Sequence, residues 1–348
     1  HADQELVKFA EDRNFDWVYR FDMRPEWSNR YYVFDAPYHS LAVERLSEAY
    51  RKGRESAFFD AYLMDIVPQT DNRPFPSRFL IWQRLKEMYH ATGSRMYTLL
   101  LSGEIVVAVI FLEAGLLSLA LLALPFVALR KTGSRPGAAE MLYFLSLGIG
   151  FMFVELYFIK QLVLLYGDPV VSFTVVLGGM LVFSGVGGFF SQRLTDRALV
   201  VSLVLLIALL ALAGPATAWL TQAVLPFPVP MHFAIGLAWL AVPGVLTGLP
   251  FPLAMRHLLK TPSSRAYAWT ANGCASVLAS IVAAQLALSR GIAAIVIGAA
   301  AAYGVALICA LKMRSSAAVE DASARTLESN YKGGHDTDRC RLLRGLSR

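Results

Sequence analysis

Three polar side chains lie inside long apolar stretches of the sequence, where a charge is costly. Glu155 lies in the run that begins at Met141, Glu113 lies in an earlier run and Asn272 in a later one. A charge at the centre of a bilayer costs about 2.5–3.5 kcal/mol on insertion scales, so such groups face protein or water. These residues indicate an intramembrane polar site, which would be a proton or ion site or a polar anchor for a headgroup or partner.

The surroundings of Glu155 favour a structural alternative, a protonated carboxyl group that is hydrogen-bonded to a neighbouring helix. No second acid follows four residues later to form a ligand pair. Lys160 follows five residues later, about 140° around a helix, so the two side chains are poor direct partners. We expect Lys160 to extend to the membrane surface. Asn272 is expected to bridge helices or to cap a broken one, and bridging is the commoner role of such residues.

The apolar run from Met231 to Met255 contains three prolines that would interrupt a helix. They are Pro243, Pro250 and Pro252. Proline removes a helix hydrogen bond and kinks the chain. Inside a membrane, a break persists only where protein or water satisfies the freed carbonyl groups. The sequence therefore predicts a helix broken at all three prolines.

Signatures of catalysis and of metal binding are absent from the sequence. Cys274, Cys309 and Cys340 form no CxxC motif, and the six histidines form no ligand pair. Gly148 and Gly150 lie inside an apolar run rather than after a strand, so they do not form a nucleotide-binding loop. No catalytic residue, metal or cofactor is predicted in this chain, and Cys274 and Cys309 are interpreted as packing residues.

The composition is typical of a membrane protein. Of the 348 residues, 56% are hydrophobic and 17% are charged, whereas about a quarter of the residues of a soluble domain are charged. The net charge is +6, but the basic residues lie at the ends of apolar runs and not on one folded face. The pattern excludes a nucleic-acid-binding protein and makes the lipid bilayer the expected partner.

Seven apolar runs are long enough to cross a bilayer core of about 30 Å as helices of about 20 residues. Small residues recur at every fourth position from Ala271 to Ala283 and from Ala294 to Ala310, which predicts close helix packing. The predicted fold is mainly α, a polytopic membrane helix bundle of about seven spans preceded by a small α/β segment. The spans cover roughly residues 99–129, 141–165, 170–191, 198–220, 231–254, 267–289 and 292–311.

Basic residues flank every second turn between these runs, and this alternation sets the predicted orientation in a cell membrane. The remaining turns carry almost no basic residues. With seven spans, the C-terminal tail would be cytoplasmic and residues 1–96 would be extracytoplasmic. The basic turns contain Arg130, Lys131, Arg135, Arg193, Arg197, Arg256, Lys260, Arg265, Lys312 and Arg314.

The residues before the first run have the pattern of a small α/β segment, residues 1–70. Ala2–Asp12 and Leu41–Tyr50 have helical spacing, whereas Phe15–Phe21 and Tyr62–Val67 have strand character. The chain begins without an initiator Met, and we expect it to be part of a longer protein.

Two further segments flank the membrane bundle, which is assigned to residues 97–311. Residues 71–96 are predicted to form a stiff connector followed by an interfacial helix, because each residue before a proline is extended. The connector contains Asp71, Arg73 and Pro74. Residues 312–348 are polar and charged, with little to bury, and are predicted to be disordered.

Four segments occur in order over about residues 60–311, namely TDNRPFPSRF, LYFLSLGIGFMFVELYFIKQLVLLYGDPV, GLPFPLAMRHL and AYAWTANGCASVLAS. They resemble the TDDRPF, LYFxxLGxGFMxVEIxxIQxxxLxLGxPV, GLPFPLGLRxL and AWAWxxNGxxSVxGS segments of one family. The family consists of multispanning membrane proteins that carry a spermidine synthase-like domain.

The resemblance implies that residues 1–70 are the C-terminal part of a spermidine synthase-like α/β domain of the S-adenosylmethionine type. The family's Gly-rich cofactor loop and catalytic acid would lie upstream, so this chain is not expected to be catalytically competent by itself. Asn72 stands where the family often has a second Asp, which weakens any acidic role of the connector. The positions that match family motifs are Asp71, Arg73, Pro74, Glu155, Pro250, Pro252 and Asn272.

Three functions are expected from these observations. The first is the membrane half of a spermidine synthase-like integral membrane protein. The second is a transporter of a polyamine or another small solute, which would use Glu155, Glu113 and the broken fifth helix. The third is a structural subunit of a larger complex, with other membrane subunits as partners.

Overall fold

The computed structural model describes residues 2–13, 15, 17, 19–20, 23–29, 36–75, 80–90, 106–121, 137–259 and 261–316. The described residues divide into two compact units. The N-terminal unit contains those up to Pro68 together with residues 80–90, and the membrane unit contains Gln69–Phe75 and those from Val106 onward. The predicted connector and the predicted interfacial helix therefore fall in different units.

Helices and irregular segments make up the described part of the N-terminal unit. Helices α1 (Ala2–Asp12) and α2 (Tyr38–Arg51) confirm the two helices predicted from spacing. Helix α3 is Glu55–Ala61, and α4 covers residues 85–90. The described residues of this unit contain no strand, so the small α/β segment is not confirmed.

The predicted strand Tyr62–Val67 is wrong, because this segment is irregular. A strand must pair its backbone groups with a second strand, and the described residues of this unit include no strand. The guanidinium group of Arg84 instead donates hydrogen bonds to the carbonyls of Asp60 and Tyr62. Of the other predicted strand, Phe15–Phe21, residues 15, 17, 19 and 20 are described, and none of these four is in a strand.

The interfacial helix predicted near Trp82 contributes to a small core of the N-terminal unit. A short 3₁₀ turn, Trp82–Arg84, leads into α4. Leu80 and Met88 are buried on either side of this turn. Leu63 and Met64 pack against them and, with Leu85, complete the cluster.

The membrane unit contains six helices that are long and apolar enough to cross a bilayer. A seventh apolar helix, α5 (Val106–Leu121), has 16 residues and lies inside the predicted span 99–129, whose other residues are not among those described. A multi-pass helical membrane protein is thus confirmed, whereas the count of seven spans is not. The six long helices are α6 (Ala138–Tyr166), α7 (Pro169–Ser191), α8 (Arg197–Val224), α9 with α10 (Val229–Gly248 and Pro250–His257), α11 (Pro262–Arg290) and α12 (Ile292–Ser316).

Helix α6 is the central helix of the unit, and 61% of its apolar window is buried, more than in any other of the six. It packs against α11 and α7, and Phe153 of α6 also lies against Gly298 of α12. A Cβ atom at Gly148 would overlap the carbonyl oxygen of Asn272, so the backbones of α6 and α11 approach closely. The small face of α11 confirms the predicted packing, because Ala271, Ala275, Ala279 and Ala283 are all buried.

Proline interrupts the chain between α9 and α10 but not at the first predicted position. Helix α9 continues through Pro243, which is buried, and ends at Gly248. The predicted breaks at Pro243 and Pro252 are therefore wrong, because helices run through both, whereas the interruption predicted at Pro250 lies at Leu249, directly before α10 begins. Proline is tolerated in the first turn of a helix, whose N–H groups have no internal partner.

Most arginines and lysines near the turns between the helices lie at one end of the membrane unit, here called the basic end, whereas Arg290 lies at the other. Arg314, at the end of α12, forms a salt bridge of 2.6 Å with Asp196, which precedes α8. Arg256 of α10 donates a hydrogen bond to the carbonyl of Gln192. The basic end contains Arg193, Arg197, Arg256, Arg265, Lys312 and Arg314.

Helix α12 runs to Ser316, five residues into the segment that was predicted to be disordered. The remainder of that segment, residues 317–348, lies outside the described residues.

Candidate functional site

A cavity of about 720 Å³ lies in the membrane unit near its basic end and is here called the basic-end cavity. Its walls come from α7, the end of α9, α10 and the first half of α11, with two positions of α6 and one of α12. Pockets for small molecules have volumes of about 300–1,000 Å³. The cavity therefore has the size of a ligand-binding site.

Several lining positions are glycines. Gly185 and Gly188 of α7 and Gly248 of α9 line the cavity without side chains to fill it. Pro252 and Met255, which follow the one-residue interruption at Leu249, form part of the wall. Close contact of α7 with α9 fixes this geometry, because a Cβ atom at Gly248 would overlap the carbonyl of Ser184.

Two arginines form the charged part of the lining. Arg256 is exposed and donates to the carbonyl of Gln192, and Arg265 is exposed and donates to the carbonyl of Leu259 at 3.4 Å. Neither forms a salt bridge with an acidic residue in the described part of the chain, and no Asp or Glu lines the cavity there. The nearby Asp196 is already paired with Arg314. The two guanidinium charges thus lack acidic partners.

The remaining lining is mostly apolar and aromatic. Trp269 is 63% exposed and makes an edge contact with Phe251 at a centroid distance of 4.7 Å. Tyr303 of α12 is buried at the inner side. The hydroxyls of Ser184 and Thr247 donate to carbonyls of their own helices, those of Leu181 and Gly244. The cavity therefore combines an apolar body with a cationic end.

The cavity contains one of the three predicted intramembrane polar residues and one of the three prolines. Asn272 and Pro252 both line it. Pro250 is buried nearby, and its carbonyl accepts a hydrogen bond of 3.0 Å from the hydroxyl of Tyr143. Pro243 lies on α9 outside the lining.

Glu155 is buried in the helix bundle but does not line the cavity. Its side chain is 3% exposed, and its Oε1 atom has no hydrogen-bond partner among the described residues. It lies four residues beyond Phe151, which does line the cavity, and therefore about 6 Å further along α6. Glu113 is exposed on α5, and it is not part of the cavity lining. The predicted polar residues are therefore distributed and do not form one cluster.

The connector lies at the end of the membrane unit opposite the basic end, beside the start of α12. The backbone carbonyl of Asn72 accepts from the N–H of Ile292 at 2.8 Å, and its side-chain Oδ1 accepts from the N–H of Ala293 at 2.7 Å. Asn72 thus acts as an N-cap supplied from a distant part of the chain. Asp71 and Pro74 are exposed and Arg73 is half-buried.

A second contact holds the connector against the bundle. Phe75 packs against the hydrophobic core, and the ammonium group of Lys160 lies 5.5 Å from the centroid of its ring. This distance is typical of a cation–π interaction. Lys160 is half-buried, which gives it a partner that the sequence did not indicate.

Sequence reasoning missed the arginine pair and the role of Asn72. Arg256 and Arg265 were interpreted only as charges that orient the spans, because they are nine residues apart in separate segments. The sequence did contain a signal for these arginines. Arg256 lies inside the resembling segment GLPFPLAMRHL, and Arg265 directly precedes the resembling segment AYAWTANGCASVLAS.

Comparison with models of protein families, with curated proteins and with solved structures finds no match to this chain.

Proposed function

We propose that the membrane unit binds a small amphipathic molecule in the basic-end cavity, and that the apolar body of the ligand lies along the cavity walls. The observation that carries this proposal is a cavity of about 720 Å³ that is mostly apolar and is lined at one end by two arginines without a salt bridge to the described acidic residues. Ligand sites commonly combine apolar walls with a few convergent polar groups. The lining offers no nucleophile with a neighbouring base, so binding or transport is favoured over catalysis.

The charge of the cavity disfavours a polyamine as the ligand. A polyamine carries several positive charges, and the charged groups of the lining are Arg256 and Arg265. Like charges repel, and no acidic residue among the described lining residues offsets them. A transporter that uses this cavity would therefore move an anionic or amphipathic solute.

We further propose that the bundle is the membrane part of a spermidine synthase-like protein. Three of the four segments that carry the resemblance contribute to the cavity, through Leu147, Arg256 and Asn272 among others. The fourth contains Asn72 and caps α12 at the opposite end. Residues that resemble a family's motifs thus occupy two defined places in the bundle, which supports a shared architecture.

The orientation that best fits the charges places the basic end in the cytoplasm. The connector, Gln69–Phe75, contacts the start of α12 at the other end, which supports an extracytoplasmic location for residues 1–96. The cavity would then lie in the cytoplasmic half of the membrane, and the C-terminal tail would be cytoplasmic.

Two glycines of α7 provide a matched test of ligand binding. A Cβ atom at Gly185 or at Gly178 would meet no atom within 4 Å, but only Gly185 lines the cavity. Dodecyl phosphate serves as an amphipathic anionic probe, and its effect is measured on the thermal unfolding midpoint of the full chain in a non-ionic detergent.

We expect dodecyl phosphate to raise the midpoint of the wild-type protein and of Gly178→Phe, because the probe binds the folded state. Gly185→Phe should lose this shift, since its ring would fill the cavity. Spermidine should produce no shift. Equal shifts in Gly185→Phe and Gly178→Phe would show that the probe binds elsewhere and would refute the proposal.

A further inference from the structure

We infer that the ligand of the basic-end cavity is an anionic phospholipid from the leaflet at the basic end, with its phosphate held between Arg256 and Arg265. This inference rests on the proposed function and specifies the chemistry and the source of the ligand. It follows from the lateral exposure of the cavity wall, the position of Arg265 in the first turn of α11 and the lack of an acidic residue among the described lining residues.

The outer wall of the cavity is continuous with the outward-facing surface of the bundle. Leu181 is 58% exposed and Trp269 is 63% exposed, although both line the cavity. Gly185, another lining residue, is also exposed. In a bilayer, the outward surface of an apolar helix contacts lipid chains. A molecule already in the leaflet can therefore reach the cavity from the side, without leaving the membrane.

Along α11, the lining residues follow the order of the parts of a phospholipid, with the charged group nearest the membrane surface. Arg265 lies in the first turn of α11, at the level where headgroups meet the hydrocarbon. Asn272 lies seven residues further, about 10 Å deeper along the helix. Trp269 lies between them, and indole rings prefer this interfacial level. The phosphate would thus meet arginine while a chain extends past Trp269.

The arginines select for a negative headgroup. Guanidinium groups bind phosphate oxygens through paired charge-assisted hydrogen bonds. Arg256 and Arg265 already donate to single backbone carbonyls, which orients them but leaves their charge unbalanced. A zwitterionic headgroup would bring its own cation into this positive region. An anionic headgroup is therefore preferred.

The apolar walls favour a lipid over a free phosphate compound. Leu147, Phe151, Phe251 and Met255 all line the cavity. A small soluble phosphate would contact the arginines but would leave these side chains without a partner. A phospholipid satisfies both parts of the lining at once.

Native mass spectrometry of the full chain, released from non-ionic detergent, tests this inference. The protein is incubated with phosphatidylglycerol, with phosphatidylcholine of the same chains, or with glycerol 1-phosphate, and the bound fraction is measured. The variant Arg265→Gln removes one cavity charge, and Arg193→Gln removes an exposed charge of the basic end outside the cavity. Arg265→Lys retains the charge and serves as a second variant if Arg265→Gln folds poorly.

We expect the wild-type protein to retain phosphatidylglycerol about tenfold more tightly than phosphatidylcholine, the change expected from one charge-assisted contact. Arg265→Gln should abolish this preference, Arg265→Lys should retain part of it, and Arg193→Gln should retain all of it. Gly185→Phe should release the lipid, and Gly178→Phe should not.

Three results would overturn the inference. Equal retention of both lipids would remove the role of the anionic headgroup, although the ligand site would survive if Gly185→Phe still released lipid. Binding of glycerol 1-phosphate as tight as that of phosphatidylglycerol would assign the site to a soluble phosphate. Retention unaffected by Gly185→Phe would refute both the lipid and the proposed ligand cavity.

Discussion

Two glycines of the membrane unit illustrate how single residues set the distance between helices. Gly248 of α9 faces the backbone of Ser184, and an added methyl group there would overlap its carbonyl oxygen. A methyl group added at Gly178 of α7 would meet no atom within 4 Å. Packing in membranes depends on such close approach because lipid supplies no hydrophobic drive between helices.

The substitution Gly248→Ala should therefore destabilise the protein by about 1–3 kcal/mol, since α7 and α9 must separate to admit the methyl group. Gly178→Ala should stabilise the helix by up to about 1 kcal/mol, because alanine is the better helix former. Denaturation in mixed micelles measures both changes in the free energy of unfolding. Similar effects of the two substitutions would contradict the close packing of α7 on α9.

Asn72 provides a second prediction at the level of one side chain. Replacing it with Ala removes the acceptor for the N–H of Ala293 and should cost about 1 kcal/mol, the usual value for a lost N-cap. Asn72→Asp retains an acceptor and adds a negative charge at a helix N-terminus, which is favourable. The thermal unfolding midpoint should fall for Asn72→Ala and stay constant or rise for Asn72→Asp. A lower midpoint for both would show that the amide group has another role.

Glu155 and Glu113 differ in burial, and a charge reversal should distinguish them. Glu155→Lys introduces a cation at a position that is 3% exposed and should strongly reduce folded protein. Glu113→Lys exchanges one charge for another on an exposed face and should be tolerated. Glu155→Gln, which is neutral and of similar shape, should also fold. The yield of monodisperse protein after detergent extraction measures each effect, and equal yields for the two lysine variants would contradict the burial of Glu155.

At the scale of helices, hydrophobic periodicity and length predicted most of the fold. The predicted spans from residue 141 onward each overlap one of the six long helices, because a bilayer requires about 20 consecutive apolar residues. The break at Pro243 was mispredicted because a proline in a helix depends on tertiary support, and Pro243 is buried by its neighbours. Spacing in the sequence did not indicate that Arg256 and Arg265 line one cavity, because helix packing forms that cavity.

The α9–α10 break offers a prediction about its support. Tyr143 of α6 is fully buried and donates to the carbonyl of Pro250, so Tyr143→Phe removes this hydrogen bond between α6 and α10. This should cost about 0.5–1.5 kcal/mol. The buried hydroxyl of Tyr166, also on α6, has no partner among the described residues, so Tyr166→Phe should cost little. Unfolding in mixed micelles compares the two variants, and an equal loss would show that the Tyr143 hydrogen bond does not support the break.

At the scale of the whole molecule, the gathering of basic residues at one end predicts the orientation in the membrane. Thr195 is exposed in the α7–α8 turn at the basic end, and Leu225 is exposed in the α8–α9 turn at the other end. A membrane-impermeant thiol reagent should label Leu225→Cys in intact cells and Thr195→Cys only after permeabilisation. Cys340 is replaced by Ser in this experiment, and Cys274 and Cys309 are buried. The reverse labelling pattern would invert the orientation proposed here.

The cap that Asn72 provides joins residues 221 positions apart in the chain. In a fragment that starts at Val106, the backbone N–H groups of Ile292 and Ala293 would lose the acceptors that Asn72 provides. The space that Asn72 occupies beside Gly291 would also be vacant. A synthetic peptide of residues 69–75 should then associate with that fragment and restore part of its heat resistance. Residues 69–75 would thus stabilise the bundle by binding the start of α12, at the end opposite the basic end.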